Sequence, residues 1–549
     1  MKSLKNYVQS LSSTPQSAPI PGASQVPNSA GGYAWPVDDW TRLDRFLILG
    51  SEGGSYYAGE AKLTAENAQA VSRCISEDGP RTVARIVAVS QAGRAPKNDP
   101  AIFALALCAT VGNDATKAAA FAALPQVCRI GTHLFHFAAF VDGLRGWGRG
   151  LRQAVAGWYA QPAGDLAYQA VKYQQRDGWS HRDLLRLAHP KPADDQHNVI
   201  FRWMVNGWEW VGDEPHPDAA LRGLWAFERA KRASDATEIV RLIRSYNLPR
   251  EAIPTQWLGE AAVWAALLER MPLEALVRNL ATMTRLGLIA PLSEATRRVV
   301  AELGNAERIR AARLHPIKVL AASLTYGQGK GVRGSGTWTP VPQVVDALDG
   351  AFYHAFGNIV PTGRRWLLAL DVSGSMAGGL IAGVPGLTPR VGSAAMALIT
   401  AATEAQHTIV GFAAPSGGGY GGQWGGGTPG LTPLNVSPRQ RLDDVLKAVD
   451  ALPMGGTDCA LPMLWAQEQK IAADVFVVYT DSETWAGAIH PTQALRQYRQ
   501  ATGIAAKLIV VGMTSNGFSI SDPDDAGMMD VVGFDTAAPQ VMADFAVGL

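Results

Sequence analysis

The chain has 549 residues, 47% of them hydrophobic, and a formal net charge of +1. That length exceeds one ordinary domain, so at least two are expected, each able to bury a sizeable core. The near-neutral balance excludes a global basic field, so any nucleic-acid surface has to be a local patch.

Residues 1–28 are rich in Ser, Pro and Gln and contain no continuous apolar core of the kind a signal peptide needs. They read as a disordered tail. No segment is long and apolar enough to cross a bilayer, so the expectation is a cytoplasmic protein without a membrane. The four cysteines, Cys74, Cys108, Cys128 and Cys459, form no Cys-x-x-Cys pair. They read as buried free thiols in a reducing compartment.

From about Thr41 to Leu348 the pattern is helical and alanine-rich. A first apolar stripe begins at Thr41, and Thr64 reads as an N-cap before an acidic first turn. Amphipathic stretches follow at 81–92, 100–110, 116–124, 132–143, 151–159, 162–174, 181–187, 218–231, 234–246, 272–283, 294–303 and 315–324. No strand pattern interrupts them. Short consecutive helices with tight connectors predict an α-solenoid of stacked, HEAT-like pairs. Because no clean repeat is visible, an irregular all-α domain is the alternative.

The character changes between Gly350 and Gly363. Strand-like runs at 365–371, 407–412, 474–480 and 506–513 alternate with helical stretches at 392–404, 439–451, 459–469 and 491–501. Such alternation predicts a doubly wound α/β domain, a parallel sheet covered by helices on both faces. The Gly-rich insert 416–430 cannot pack a core and reads as a surface loop.

The first of these strands ends in Asp371-Val-Ser373-Gly-Ser375. One carboxylate and two hydroxyls then stand at the carboxyl end of a parallel strand, where open α/β sheets place their ligands. Thr457 on a Gly-Gly-Thr-Asp loop and Asp481 after a later strand complete the set. Three hydroxyls and two carboxylates are hard donors that suit Mg²⁺ rather than Zn²⁺, with water and an acidic group from a partner filling the remaining positions. This pattern resembles the metal-ion-dependent adhesion site (MIDAS) of von Willebrand factor A domains. An enzymatic reading, divalent-metal nuclease chemistry, lacks an adjacent general base: His407 and His490 are distant in sequence.

The helical half carries a basic, aromatic-interleaved stretch. Lys172, Arg176, His181, Arg182, Arg186, His189 and Lys191 alternate with Tyr173 and Trp179, and helical spacing puts Lys172 and Arg176 on one face. Arg149 and Arg152 add a second basic turn. Cations neutralise phosphates, and aromatic or guanidinium planes stack on unpaired bases. Singly, each charge reads equally as a solvated surface residue, and Trp147 and Trp179 as core anchors.

The segments 28–35 and 43–57, Gly146-Trp-Gly-Arg149-Gly-Leu-Arg152, the 172–191 stretch, 271–280 and His315-Pro-Ile-Lys318 resemble, in order, the TROVE domain of Ro ribonucleoproteins. The similarity continues through the metal motif to Asp522-Pro-Asp-Asp. It implies a TROVE ring of HEAT-like repeats over 29–360, with a von Willebrand factor A domain over 361–549 bridging its ends. It also implies a non-catalytic RNA-binding protein of the bacterial Ro type, acting in RNA quality control. Such proteins bind small noncoding Y RNA on the outer ring surface and single-stranded 3′ ends of misfolded RNA in a central hole, with an exoribonuclease as partner. By that likeness Lys172, Arg176 and His189 match positions that contact Y RNA, while Arg149, Arg152, His315 and Lys318 are candidates by charge and proximity. The alternative is a Mg²⁺-dependent protein-adhesion scaffold.

Overall fold

The computed structural model describes residues 13–50, 68–144, 146–208, 214–331, 336–356, 359–378, 380–381, 387–414, 430–437, 440–514 and 516–549. The predicted cap at Thr64 and nearly all of the insert 416–430 lie outside them.

Helices run in close succession from Asp39–Leu49 to Pro342–His354. Local chemistry sets their ends. Asp38 accepts a hydrogen bond from the Thr41 amide, Asn113 from Thr116, and Asp235 from Glu238, each satisfying a donor that a helix start leaves orphaned. The helix Gln69–Ala92 bends at Asp78 (φ −151°, ψ 87°), just before Pro80, because proline disfavours helical backbone in the residues preceding it. The helix Asp99–Val111 is buried on every face from Pro100 to Thr110 and forms the centre of the first helical layers.

The helical array closes on itself. His315 Nε2 lies 3.0 Å from the Arg94 carbonyl, and the Arg313 side chain rests on Gly93. The C-terminal unit joins both ends of the array. Arg45 on the helix Asp39–Leu49 and Arg94 just after the helix Gln69–Ala92 pair with Asp530 and Asp535, and Asp346 from the last helix of the array pairs with Arg441.

That unit is a six-stranded sheet. Its spatial order is Met528–Val532, Lys507–Gly512, Val475–Thr480, Arg365–Asp371, Gln406–Phe412 and Leu431–Leu434. The first five run parallel and the last is antiparallel. Alternate residues face opposite sides. Leu368, Leu370, Val477, Tyr479, Ile509 and Val511 join an apolar core continuous with the helical region. Leu367, Ala369, Phe476, Val478 and Val510 pack beneath the helices Leu461–Glu468 and Pro491–Thr502. Burial on both faces is why these strands are continuous apolar runs. The strand Arg365–Asp371 lies between its next two parallel successors in sequence, so its carboxyl end is a topological switch point, the place where such sheets bind ligands.

Three expectations fail. Residues 13–28 are not a disordered tail: Gln16 is fully buried against the sheet unit, and Val26–Pro27, Tyr33–Pro36 and Phe518–Ser519 form a small antiparallel sheet. Polar side chains with specific partners, not apolar content, hold this segment. The helical half is also interrupted by a hairpin, Gln175–Arg176 with Trp179–Ser180. Lys172 and Arg176 therefore do not share a helix face, because the helix Ala163–Lys172 ends at Lys172. All four cysteines are buried free thiols, as expected. Among the described residues no helix is long and apolar enough to cross a membrane.

Candidate functional site

The residues of the proposed cation motif lie together in the structure. Asp371 is fully buried at the end of its strand. One carboxylate oxygen accepts the Ser373 amide at 2.9 Å and the other the Thr480 hydroxyl at 2.6 Å. The Ser373 and Ser375 hydroxyls lie 3.0 Å apart. Ser375 sits beside Asp481, which follows the strand Val475–Thr480. The loop carrying Thr457 is tied in by the Gly374 amide donating to the Gly455 carbonyl at 3.3 Å. So all five predicted ligands, buried to within 3%, meet around one strand edge.

Their electrostatics ask for a cation. Burial raises both carboxyls above the ordinary range, and the charge of Asp371 raises Asp481 further. Thr457 Oγ1 and one Asp481 carboxylate oxygen are buried without a hydrogen-bond partner. Orphaned oxygens are costly, and a hard divalent ion satisfies oxygens of this kind. The residues fit that group. Among the described residues, no group of three or more His, Cys, Asp or Glu is placed to hold a metal ion, so this candidate site depends on its three hydroxyls beside two carboxylates. The histidines considered as bases are engaged elsewhere: His407 Nδ1 lies 2.7 Å from the Glu404 carbonyl, and His490 Nε2 lies 2.8 Å from the Ala18 carbonyl.

The basic stretch divides. Asp177 and Gly178 form a two-residue turn with positive φ of 50° and 80°, a geometry that asparagine, aspartate and glycine tolerate best. It lifts Arg176 into solvent, its side chain 61% exposed. The turn leads into the helix His181–Ala188, started by a capping box between Ser180 and Asp183. Arg182 and Arg186 project from that helix, and His189 and Lys191 follow it, all exposed. Arg149 and Arg152 open the helix Arg149–Trp158, also exposed. Trp147 and Trp179 pack together at 5.6 Å between ring centroids, joining that helix to the hairpin. Both tryptophans are partly buried core anchors. Between 146 and 191 there are seven Lys and Arg against three Asp, a local excess of four in a chain that carries +1.

Two predicted contacts are wrong, and two need restating. His181 is buried, its Nδ1 3.0 Å from the Tyr159 hydroxyl and its ring against Phe135 and Trp158. Burial lowers its pKa to about 4, so it is a neutral core residue. His315 is buried too, accepting the Ile317 amide as an N-cap and bonding Arg94 across the ring closure; burial lowers it to about 3. Lys318 is paired with Glu274 at 3.0 Å. Lys172 is half-buried, its ammonium 5.4 Å from the rings of both Tyr168 and Tyr173. It lines a cleft with Tyr168, Arg244, Arg250, Arg270 and Asn279. Those three arginines went unnoticed in the sequence because they come from scattered helix ends. Only their charge beside helix breaks hinted at them.

The chain also matches known families over most of its length. Residues 26–209 and 233–325 match the TROVE domain, and residues 365–546 match the Ro60 vWA domain. The chain is similar to the RNA-binding protein RO60 of Deinococcus radiodurans, 46% identical over 527 residues, covering 95% of this chain and 96% of that one. It is similar also to the RNA-binding protein RO60 of Caenorhabditis elegans, 36% identical, covering 95% and 90%. The crystal structure of the Deinococcus radiodurans RO (RSR) protein superposes with a TM-score of 0.69 at 45% identity, over 93% of this chain and all of that one. A helical TROVE region closed by an A domain, matched end to end, places this chain in the Ro family.

Proposed function

We propose that the chain is an RNA-binding scaffold that holds a small noncoding RNA of the Y RNA type against the face formed by the hairpin and the helices Arg149–Trp158 and His181–Ala188. The observation that carries this is the cluster of exposed cations, Arg149, Arg152, Arg182, Arg186 and Lys191, none of which forms an ion pair with a described residue. Charges left unpaired on a near-neutral protein stay available to phosphates, and those contacts dominate RNA affinity. The names of the two relatives, both RNA-binding proteins, support the same reading. Single-stranded 3′ ends of misfolded RNA are the second ligand, the role is RNA quality control in the cytoplasm, and an exoribonuclease is the partner that would consume such ends. The scaffold itself is non-catalytic. Filter binding of one structured RNA with and without an unpaired 3′ tail tests end recognition; equal affinity for both removes it.

Asp371, Ser373, Ser375, Thr457 and Asp481 would hold Mg²⁺, which supplies neutralisation of the buried carboxylates and an open position for an outside oxygen. A second reading, adhesion of a protein through an acidic residue, is favoured by the rim of that site. Met454 is 57% exposed and Trp485 40% exposed on the loops that carry Thr457 and follow Asp481, and the Trp485 ring lies against Gly456. Pull-down of an Asp-containing partner that depends on Mg²⁺ and is lost with Trp485→Ala tests it.

A further inference from the structure

We propose that residues 13–36 form a strap that sets the geometry of the metal loops, with Gln16 as its positioning residue; this rests on the reading of that site as a divalent-cation centre. The buried Gln16 side chain spans the two loops that bring Thr457 and Asp481 together. Its amide nitrogen donates to Asp458 Oδ1 at 2.7 Å and to the Ile489 carbonyl at 2.8 Å. Its amide oxygen accepts the Thr484 hydroxyl and, at 3.2 Å, the Gly487 amide. Asp458 is the residue after Thr457, and Thr484 stands three residues beyond Asp481. Every donor and acceptor of one side chain is therefore spent on holding one metal loop against the other.

The rest of the strap reinforces the clamp. Gln16 also exchanges backbone bonds, donating to the Gly487 carbonyl and accepting from the Tyr33 amide, both at 2.9 Å. Asn28 Nδ2 donates to the Thr484 carbonyl at 2.7 Å. Gly32 is pressed so close that a Cβ there would stand 1.9 Å from that carbonyl oxygen, so the strap needs glycine at this point. It then enters the strand Tyr33–Pro36, which pairs with Phe518–Ser519, and continues into the helix Asp39–Leu49. The strap belongs by sequence to the helical half, yet it buttresses the metal centre of the other half.

Partners that orient ligands typically change metal affinity by about 10–100-fold when removed. Gln16→Ala in the full chain is expected to weaken Mg²⁺ binding, measured by calorimetric titration of the ion alone, by about tenfold or more. Asn28→Ala, a milder lesion, is expected to weaken it less, and it carries the test if Gln16→Ala does not fold. A merely structural strap would lower the melting temperature in chelator while leaving the Mg²⁺ dissociation constant at the wild-type value, and that result overturns the proposal. Absence of Mg²⁺ binding by the wild-type chain overturns the metal reading itself and the proposal with it. The two failures are thus distinguishable.

Discussion

Asp481→Asn is an isosteric change that should stabilise the chain in chelator, an advantage that shrinks by about 2.7 kcal/mol in magnesium at a hundred times its dissociation constant. Asp481 is buried beside Asp371, and both its burial and that neighbour's charge raise its carboxyl. A carboxyl raised in the folded state costs stability once the pH exceeds its unfolded value, at about 1.4 kcal/mol per unit of displacement. Removing the charge should therefore stabilise the metal-free sheet unit by something on the order of a few kcal/mol. The asparagine oxygen can still accept the Glu483 amide, a bond of 3.1 Å in the structure, so little packing is lost. With Mg²⁺ present at a hundred times its dissociation constant, the wild type should gain about 2.7 kcal/mol and the variant essentially nothing. Hydrogen exchange of the amides in Val475–Thr480 reports opening of this sheet selectively. A variant less stable than wild type in chelator would mean that the buried Asp481 charge is not costly, and one stabilised by Mg²⁺ as much as wild type would mean that Asp481 is not a ligand.

Other outcomes follow from the same contacts. Arg45, 1% exposed, donates to Asp530, the Asn516 carbonyl and the Phe518 carbonyl. Arg45→Met should cost about 3–5 kcal/mol, the usual penalty for leaving a buried partner unpaired, and limited proteolysis should show early cleavage within 516–530. His181 and His315 are buried and His133 half-buried, and burial lowers their pKa values to about 4, 3 and 4 respectively. The unfolded chain binds protons there first, so their stability is complete above about pH 6.5 and falls as the pH drops toward 4, by roughly 1.4 kcal/mol per pH unit for each histidine. Urea midpoints measured across that window should show the slope, and a flat profile would contradict their burial. His181→Gln should leave RNA affinity unchanged, in contrast to the exposed cations.

The candidate cation site was legible because its residues come in short local motifs, two of them at the ends of apolar strands. Once Asp371 and Asp481 were placed on neighbouring parallel strands, the sheet topology brought them together. The edge strand Leu431–Leu434 was not legible, since Pro433 removes a donor and marks an edge rather than a central strand. The hairpin after Lys172 was hidden because two-residue strands show no alternation. Asp177-Gly178, a strong turn signal, could have revealed it. His181 shares a helical face with Leu184 and Leu185, both buried, and that spacing already placed it inward. His315 directly before Pro316 had the look of a helix cap. The strap could not be read at all. Gln16 and Asn28 find partners more than 440 residues away, and composition carries no trace of a bond that only the tertiary fold creates.

On the proposed reading, exposed cations around the hairpin hold RNA by its phosphates. The salt dependence of RNA affinity is the measurement that tests this, comparing the wild type with a chain carrying Arg182→Gln and Arg186→Gln, two of the exposed cations that form no ion pair with a described residue. Each lost phosphate contact lowers the slope of log affinity against log salt by about 0.7–0.9, so the loss of Arg182 and Arg186 predicts a slope shallower by about 1.4–1.8, with weaker binding at low salt. An unchanged slope and affinity in a folded variant would contradict the account.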